Sequence, residues 1–307
     1  VQDFGTRTAA ELTGRWDQPA SEIGVITAVA GKGLDLAAKL TIEGSTVHVE
    51  QLSATSPATQ ITASLTVEGP QLRDGRYSVT LADAKVLAGE FGVPLSGKAI
   101  AEGTLAGPFD SLQLDGRAQL ARLTVAEQAL SDIAAGYKLR IAGADIDGPV
   151  EVALASPFGR AEAKADLQLR SDAVTLANLS ARLPETTVAG SVIVPLDGGE
   201  PRADLQGELG DLGPWLAFAG FSGGGAGSLS VQLNQPGAAA PLTASAEFSS
   251  VQFRPAAGAI PLRAAKLTAK VTAQDPAFEQ PGRITVVAEG FQRDDLNLDR
   301  VDLAAQG

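Results

Sequence analysis

The stretch from Leu36 to Glu50 reads LAAKLTIEGSTVHVE and decides the fold class of the chain. Apolar side chains recur at every second position on both sides of a Gly44-Ser45 turn, and apart from Ala37 the side chains between them are polar. This alternation is typical of an antiparallel hairpin with one apolar face and one wet face. The pattern resumes after Pro57, from Ile61 to Val67, so we expect several consecutive half-apolar strands.

The same stretch occurs again further along the chain. Residues 40–67 align with residues 167–194 without a gap, at an offset of 127. The identical pairs include Leu40/Leu167, Val47/Val174, Leu52/Leu179, Pro57/Pro184, Thr59/Thr186 and Val67/Val194. A second match, at an offset of 128, relates Leu81-Ala-Asp83 to Leu209-Gly-Asp211. Two matches in the same order at nearly the same offset predict tandem structural repeats.

A helix signal follows the second match in each repeat. Asp83 and Asp211 are predicted N-caps, because a short acceptor side chain satisfies the free N–H groups of a first helical turn. Apolar residues spaced i,i+4 and a terminating glycine complete the signal: Leu87, Phe91 and Gly92 in the first copy, Trp215, Ala219 and Gly220 in the second. We expect short helices near residues 83–91 and 211–219.

A break in the two-residue period predicts a β-bulge in each repeat. The apolar positions step by two, then by three, in Ala118-Leu120-Leu123-Val125 and again in Ala246-Phe248-Val251-Phe253. One extra residue in a strand produces such a step and adds local twist.

These features predict an all-β fold with one short helix per repeat. We expect an elongated, twisted antiparallel sheet, an open groove of the β-taco kind, built from tandem repeats. The predicted division is residues 1–30 as strands continuing a preceding unit, 31–156 as the first unit, 157–285 as the second, and 286–307 as the start of a further unit.

Composition excludes several classes of function. The net charge of −12 argues against nucleic acid as a partner and against a basic patch for anionic membranes. The chain has no cysteine, so neither a disulfide framework nor a thiolate site is available. It also has no methionine, and no apolar run approaches the ~20 residues of a membrane-spanning helix. We therefore expect a fragment or processed chain whose membrane anchor, if the parent has one, lies elsewhere.

No combination of residues predicts catalysis. The one histidine, His48, falls on the polar side of a strand and is interpreted as a surface residue. Asp145-Ile-Asp147-Gly148 lacks the closing glutamate of a calcium loop and is interpreted as a hairpin turn. Gly223 to Gly225 lacks the Lys-Ser/Thr pair of a phosphate cradle and is interpreted as re-entry into the sheet. We expect no enzyme activity, no metal site and no cofactor.

The apolar face of the strands is the remaining candidate site. Only 5% of the residues are aromatic, which favours a face lined by aliphatic side chains that leave room for an acyl chain over a filled sandwich core. The candidate groove residues are Leu36, Leu40, Ile42, Val47, Val49, Ile61, Leu65 and Val67 in the first unit. Their counterparts in the second unit are Leu167, Leu169, Val174, Leu176, Val188, Val192 and Val194.

Two phrases in the sequence resemble a known family. Gly97-Lys-Ala-Ile-Ala-Glu-Gly-Thr-Leu-Ala-Gly-Pro108, followed by Leu112-Gln-Leu-Asp-Gly-Arg-Ala118, resembles the recurrent G-x-L-x-G-P … L-x-G-x-A phrase of TamB and its AsmA-like relatives. The phrase from Asp211 to Leu216 is similar as well. The resemblance runs from about residue 30 to the end of the chain.

The resemblance implies a β-taco that spans the periplasm of a diderm bacterium as part of an inner-membrane-anchored protein. It implies passage of phospholipid between the inner and outer membranes, a role in outer-membrane biogenesis, and an Omp85-type outer-membrane partner that binds regions outside this segment. A repetitive β-solenoid adhesin or structural scaffold with a closed core stays open as the alternative. Such solenoids usually repeat at the short period of one coil, whereas the period here is about 127 residues.

Overall fold

The computed structural model describes residues 7–17, 33–87, 95–125, 128–156, 159–196, 198–218, 221–236, 240–254, 261–274 and 282–306. The chain divides into two compact units, Val1–Glu162 and Ala163–Gly307. Almost all of the described residues lie in β-strands, and from β1 to β9 and from β11 to β18 each strand pairs antiparallel with the next one in sequence. The expected all-β class and antiparallel arrangement are confirmed.

The first unit is a meander of nine strands. They are β1 (Thr8–Asp17), β2 (Gly33–Glu43), β3 (Thr46–Thr55), β4 (Thr59–Glu68), β5 (Gln71–Leu81), β6 (Leu95–Pro108), β7 (Leu112–Val125), β8 (Gln128–Ala142) and β9 (Asp145–Ser156). A one-turn 3-10 helix, Ala84–Leu87, lies between β5 and β6. No pairing among the described residues joins β1 to β9, so this sheet is open.

The second unit has the same plan. Strand β10 (Gly159–Leu169) crosses the boundary between the units, and β11 (Ala173–Leu183) lies beside it. The remaining elements are β12 (Thr186–Pro195), β13 (Arg202–Leu209), helix α1 (Gly213–Phe218), β14 (Ser222–Leu233), β15 (Leu242–Arg254), β16 (Leu262–Ala273), β17 (Gly282–Arg293) and β18 (Leu296–Gln306). Strands β11 to β18 pair in chain order, and no described pairing closes them into a ring.

Each unit contains an equivalent hairpin, and the two hairpins have a register shift at the same position of the repeat. In β3–β4 the register shifts between Val49 and Leu52, and in β11–β12 it shifts between Leu176 and Leu179. Both positions differ by 127, the offset found in the sequence. In the second copy Asn178 has φ 51, a left-handed conformation that asparagine tolerates better than most residues. The repeat is therefore structural as well as sequential.

The predicted caps are present in both units. The Asp83 Oδ1 atom accepts hydrogen bonds from the Lys85 N–H and the Gly97 N–H, each 3.0 Å long. The Asp211 Oδ1 atom accepts one from the Gly213 N–H at 2.8 Å. Of the predicted helix residues, Phe91, Gly92, Ala219 and Gly220 lie outside the described part of the chain.

The predicted bulges are right in one unit and misplaced in the other. In the second unit Gly224 of β14 pairs with Gln252 of β15, and Ala226 pairs with Ser249, so β15 has one extra residue between these two pairs. Ser250 lies in this bulge and has φ 53. In the first unit β7 keeps an unshifted register with β8, and the extra residue lies in β6. Gly97 of β6 has φ 80, a conformation that costs glycine little because it has no Cβ.

The glycine and aspartate motifs belong to turns and strand ends. Gly223 to Gly225 open β14, as expected, and a Cβ on Gly223 would overlap the carbonyl oxygen of Gln252. Asp145 pairs with Ala142 directly after the turn that contains Gly143, so the Asp145–Gly148 stretch begins β9 and is not itself the turn. The expected hairpin thus lies two residues earlier.

Candidate functional site

The candidate site in the first unit is the apolar face of its sheet, where directly paired residues form rows across the strands. In an antiparallel pair, residues opposite each other project to the same face. One such row crosses β2 to β9 and contains Leu36, Ala54, Ile61, Val79, Ala101, Ala118, Ala135 and Val152. The row is aliphatic throughout, although its members are separated by many residues in the sequence.

The eight candidate residues of the first unit lie on this face, in three rows. Leu36 and Ile61 belong to the row just described. A second row holds Leu40, Val49 and Leu65, and a third holds Ile42, Val47 and Val67. Ile42 is exposed, at 37%, and the other seven are half-buried.

The candidates of the second unit show the same arrangement where the register is known. Val174 pairs with Val194, Leu176 pairs with Val192, and Val188 pairs with Ala181. Leu167 and Leu169 are half-buried on β10. Val194 is the exception, at 44% exposed. Strands β10, β11 and β12 therefore supply an apolar face that matches the one formed by β2, β3 and β4.

The apolar face is sheltered but not packed as a core. From Leu112 to Leu120 of β7 the apolar side chains are half-buried and the polar side chains between them are exposed. Among the described residues no large side chain is fully buried, and most of the buried apolar residues are alanines. A filled sandwich core normally buries large side chains completely. The described part of each unit thus lacks a second layer over its apolar face.

Helix α1 packs against one end of the apolar face in the second unit. Trp215 of α1 donates its indole N–H to the Thr186 hydroxyl at 2.9 Å, and Leu209, which pairs directly with Thr186, is buried. In the first unit Thr59 and Leu81, the repeat counterparts of Thr186 and Leu209, are also buried. Sequence reasoning predicted the helices but not this packing at the ends of the rows.

One row of the first unit carries a feature that sequence reasoning missed. It runs through Ala63, Tyr77, Gly103, Gly116 and Tyr137. The two tyrosine hydroxyls are 2.7 Å apart, although β5 and β8 are separated by two strands. Glycines inside alternating strands mark places where another group approaches the backbone closely, and that signal was available in the sequence.

Glycine is required beneath the tyrosines. A Cβ on Gly116 would lie 2.6 Å from the Tyr77 hydroxyl oxygen and 2.9 Å from that of Tyr137. A Cβ on Gly103 would lie 2.8 Å from the Tyr77 hydroxyl oxygen. Burial, and then the hydrogen bond to Tyr137, raise the pKa of Tyr77 well above its ordinary value of 10. Tyr77 therefore stays protonated across the physiological range.

The opposite face of each sheet is polar and ionic. Arg117 donates to Glu102 at 2.7 Å, and Lys266 pairs with Glu247 at 2.8 Å. His48 lies 3.2 Å from the Thr66 hydroxyl on this face, where the sequence placed it. Exposed pairs of this kind contribute little to the free energy of unfolding, so their main effect is to keep the face wet.

The depressions that the structure describes lie on the polar face. One of about 690 Å³ in the second unit is lined by side chains that include Gln206, Glu208, Ser228 and Glu247. No group of three or more His, Asp or Glu side chains in the described ranges could hold a metal ion. No described helix is long and apolar enough to cross a membrane.

Comparisons with protein-family models, with curated proteins and with solved structures found no match to this chain.

Proposed function

We propose that this chain is a segment of a non-enzymatic lipid conduit whose apolar face carries phospholipid acyl chains. The observation that carries the proposal is the set of aliphatic rows that cross the strands of each unit without a described second layer over them. An apolar face of this extent that no described element covers is unfavourable in water, which favours the binding of an apolar occupant.

Acyl chains fit the chemistry of the rows. Each methylene moved from water to an apolar surface is stabilised by about 0.8 kcal/mol. The row through Leu36 and Val152 offers methyl groups of similar size at each strand, so an acyl chain that slides along it exchanges one contact for another of the same kind. This row crosses eight strands, β2 to β9, at about 4.8 Å per strand and so extends roughly 34 Å, whereas one lipid leaflet is about 15 Å thick in its hydrocarbon part.

We place the protein in the periplasm, as part of an inner-membrane-anchored bridge that moves phospholipid between the inner and outer membranes. The resemblance of residues 97–118 and 211–216 to TamB and its AsmA-like relatives supports this setting. In such a protein other regions would supply the anchor and the contact with an Omp85-type outer-membrane partner. The net charge of −12 is compatible with a path that holds acyl chains and does not bind anionic head groups at the surface.

Charged substitutions on the apolar face test the proposal. Leu65→Asp and Val192→Asp place a carboxylate in a row of each unit, and Thr62→Asp and Ala189→Asp place the same group on the polar face of the same strands. The protein would be purified from a bacterial periplasm, and bound lipid would be measured by native mass spectrometry and extraction.

We expect phospholipid to accompany the unsubstituted chain and the two polar-face variants, and to be lost from Leu65→Asp and Val192→Asp. Their melting temperatures should stay close to that of the unsubstituted chain, because an open face lets the carboxylate reach water. A lipid-free protein that unfolds on Leu65→Asp would contradict the proposal. It would indicate a closed core, in which an unpaired charge costs several kcal/mol, and would favour the adhesin or scaffold alternative.

A further inference from the structure

The two tyrosines of the chain meet on the apolar face of the first unit. Tyr77 of β5 and Tyr137 of β8 extend toward each other over Gly103 and Gly116, and their hydroxyl oxygens are 2.7 Å apart. We call this pair the tyrosine bridge. It is the one polar hydrogen-bonding group on the otherwise apolar row that runs from Leu52 across the strands.

The fold does not require the tyrosine bridge. The corresponding row of the second unit contains Leu205, Val231, Ala244 and Val271, in direct register across β13 to β16. In the second unit the equivalent strands are therefore joined by a row of aliphatic residues with no tyrosine pair. The tyrosines and the two glycines beneath them form a set that distinguishes the first unit from its repeat.

The hydrogen bonding of the tyrosine bridge leaves one donor unused. Each phenol has one O–H and can also accept, so two hydroxyls that bond to each other use only one of their two O–H groups. Neither hydroxyl has another hydrogen-bond partner among the described residues. Water can satisfy the remaining O–H when the face is empty. An acyl chain that covers the face displaces this water, and the O–H then requires an acceptor on the occupant.

We propose that the tyrosine bridge binds an oxygen acceptor at the head-group end of a lipid, an ester carbonyl or a carboxylate, and so selects oxygen-bearing lipids over plain hydrocarbons. This inference rests on the proposed function, since it requires an acyl chain on the same face. Directional recognition by a few polar groups in an apolar site is the usual source of ligand specificity. The raised pKa of Tyr77 keeps its hydroxyl available as a donor.

Isotope labelling can observe the tyrosine bridge directly, because the chain contains only two tyrosines. Tyrosine labelled with ¹³C at Cζ would give two resonances that respond to hydrogen bonding of the phenol oxygen. The delipidated full chain would be titrated with methyl oleate, with oleate, and with 1-octadecene, which has the chain but no oxygen. We expect methyl oleate and oleate to shift the tyrosine resonances and 1-octadecene to bind without the same shift. A response to oleate alone would assign the acceptor as a carboxylate, and a response to both would show that an ester carbonyl suffices.

Phenylalanine variants separate lipid binding by the tyrosine bridge from a purely structural role. Tyr77→Phe and Tyr137→Phe each break the bond between the tyrosines but leave one hydroxyl with a free O–H. The double variant removes both. The readout is the ratio of affinities for methyl oleate and 1-octadecene, measured by displacement of a fluorescent acyl probe, so a general loosening that affects both ligands alike does not change it.

We expect a ratio of about 10 in the unsubstituted chain, the fold-change that one net hydrogen bond supports. Each single variant should keep most of this preference, and the double variant should lose it. A preference lost equally in the single variants, or kept in the double variant, would overturn the inference and leave the tyrosine bridge a structural link between β5 and β8. If none of the three ligands binds, both the proposed function and the inference are wrong. If the ligands bind but methyl oleate is not preferred over 1-octadecene, only the inference is wrong.

Discussion

Asp83 joins two parts of the first unit through a single carboxylate oxygen. Its Oδ1 atom accepts hydrogen bonds from the Lys85 N–H at the start of the 3-10 helix and from the Gly97 N–H in the next strand. The side chain thus caps the helix and fixes where β6 begins. Asp211 plays the first of these roles in the second unit.

We predict that Asp83→Ala lowers the free energy of unfolding by about 1–2 kcal/mol, because it leaves two backbone donors without their acceptor. Urea denaturation followed by circular dichroism measures the change. Asp83→Asn is the matched control, since its side-chain oxygen can accept the same bonds and stability should stay near that of the unsubstituted chain. Equal destabilisation by both variants would show that charge, and not capping, is what Asp83 supplies.

Tyr77 makes the stability of the first unit sensitive to alkaline pH. Its pKa is raised in the folded chain, by burial first and then by Tyr137. The neutral phenol is therefore favoured by folding, and this contribution is complete below about pH 10, the pKa of an unfolded tyrosine. As the pH rises above that value the unfolded chain ionises and the contribution is lost.

We predict that the unsubstituted chain loses more stability than Tyr77→Phe between pH 8 and pH 11. Urea midpoints of both proteins at the two pH values give the comparison, and effects shared by all other groups cancel in the difference. If the two proteins lost the same stability, the phenol of Tyr77 would have to be as accessible in the folded chain as in the unfolded one.

At the scale of elements, bulges set where the apolar side chains project. Ser250 of β15 has φ 53 and supplies the extra residue against β14. Phe248 and Val251 on either side are partnered by Leu267 and Ala264 of β16. A left-handed residue inside a strand is conformationally costly unless it is Gly, Asn or Asp.

We predict that Ser250→Val destabilises the second unit by about 1–3 kcal/mol, because a β-branched side chain is strained at positive φ. Ser250→Gly should be neutral or slightly stabilising. Thermal melting of both variants checks the expectation. A melting temperature of Ser250→Val equal to that of the unsubstituted chain would contradict the bulge, because it would mean that residue 250 of β15 has an ordinary extended conformation.

The sequence predicted the hairpins well and the bulges less well. Period-two alternation around Gly44-Ser45 identifies β2 and β3 because each strand shows one face to water, and the 127-residue offset identifies their repeat. The extra residue in β6 was missed because a bulge is shared between two strands. Which of them takes it depends on where a left-handed residue is cheapest, and Gly97 accepts that conformation more easily than the residues of β7.

At the scale of the whole molecule, each unit presents an apolar face and an ionic face. The candidate residues lie on the apolar face because period-two alternation within a single strand assigns each side chain to one face, without knowledge of the adjacent strands. Alternation could not show that Tyr77 and Tyr137 meet, since that contact depends on the register of four strands and on two glycines. Nor could composition show how little of the described apolar face is fully buried.

The most direct test of the account is to locate bound lipid by photo-crosslinking. A benzophenone amino acid would replace Ile61 or Val188 on the apolar faces, and Thr62 or Ala189 on the polar faces of the same strands. After irradiation of protein purified with its lipid, we predict lipid adducts from Ile61 and Val188 and none from Thr62 and Ala189. Adducts from the polar-face positions alone, or from none of the four, would contradict the claim that the apolar face carries acyl chains.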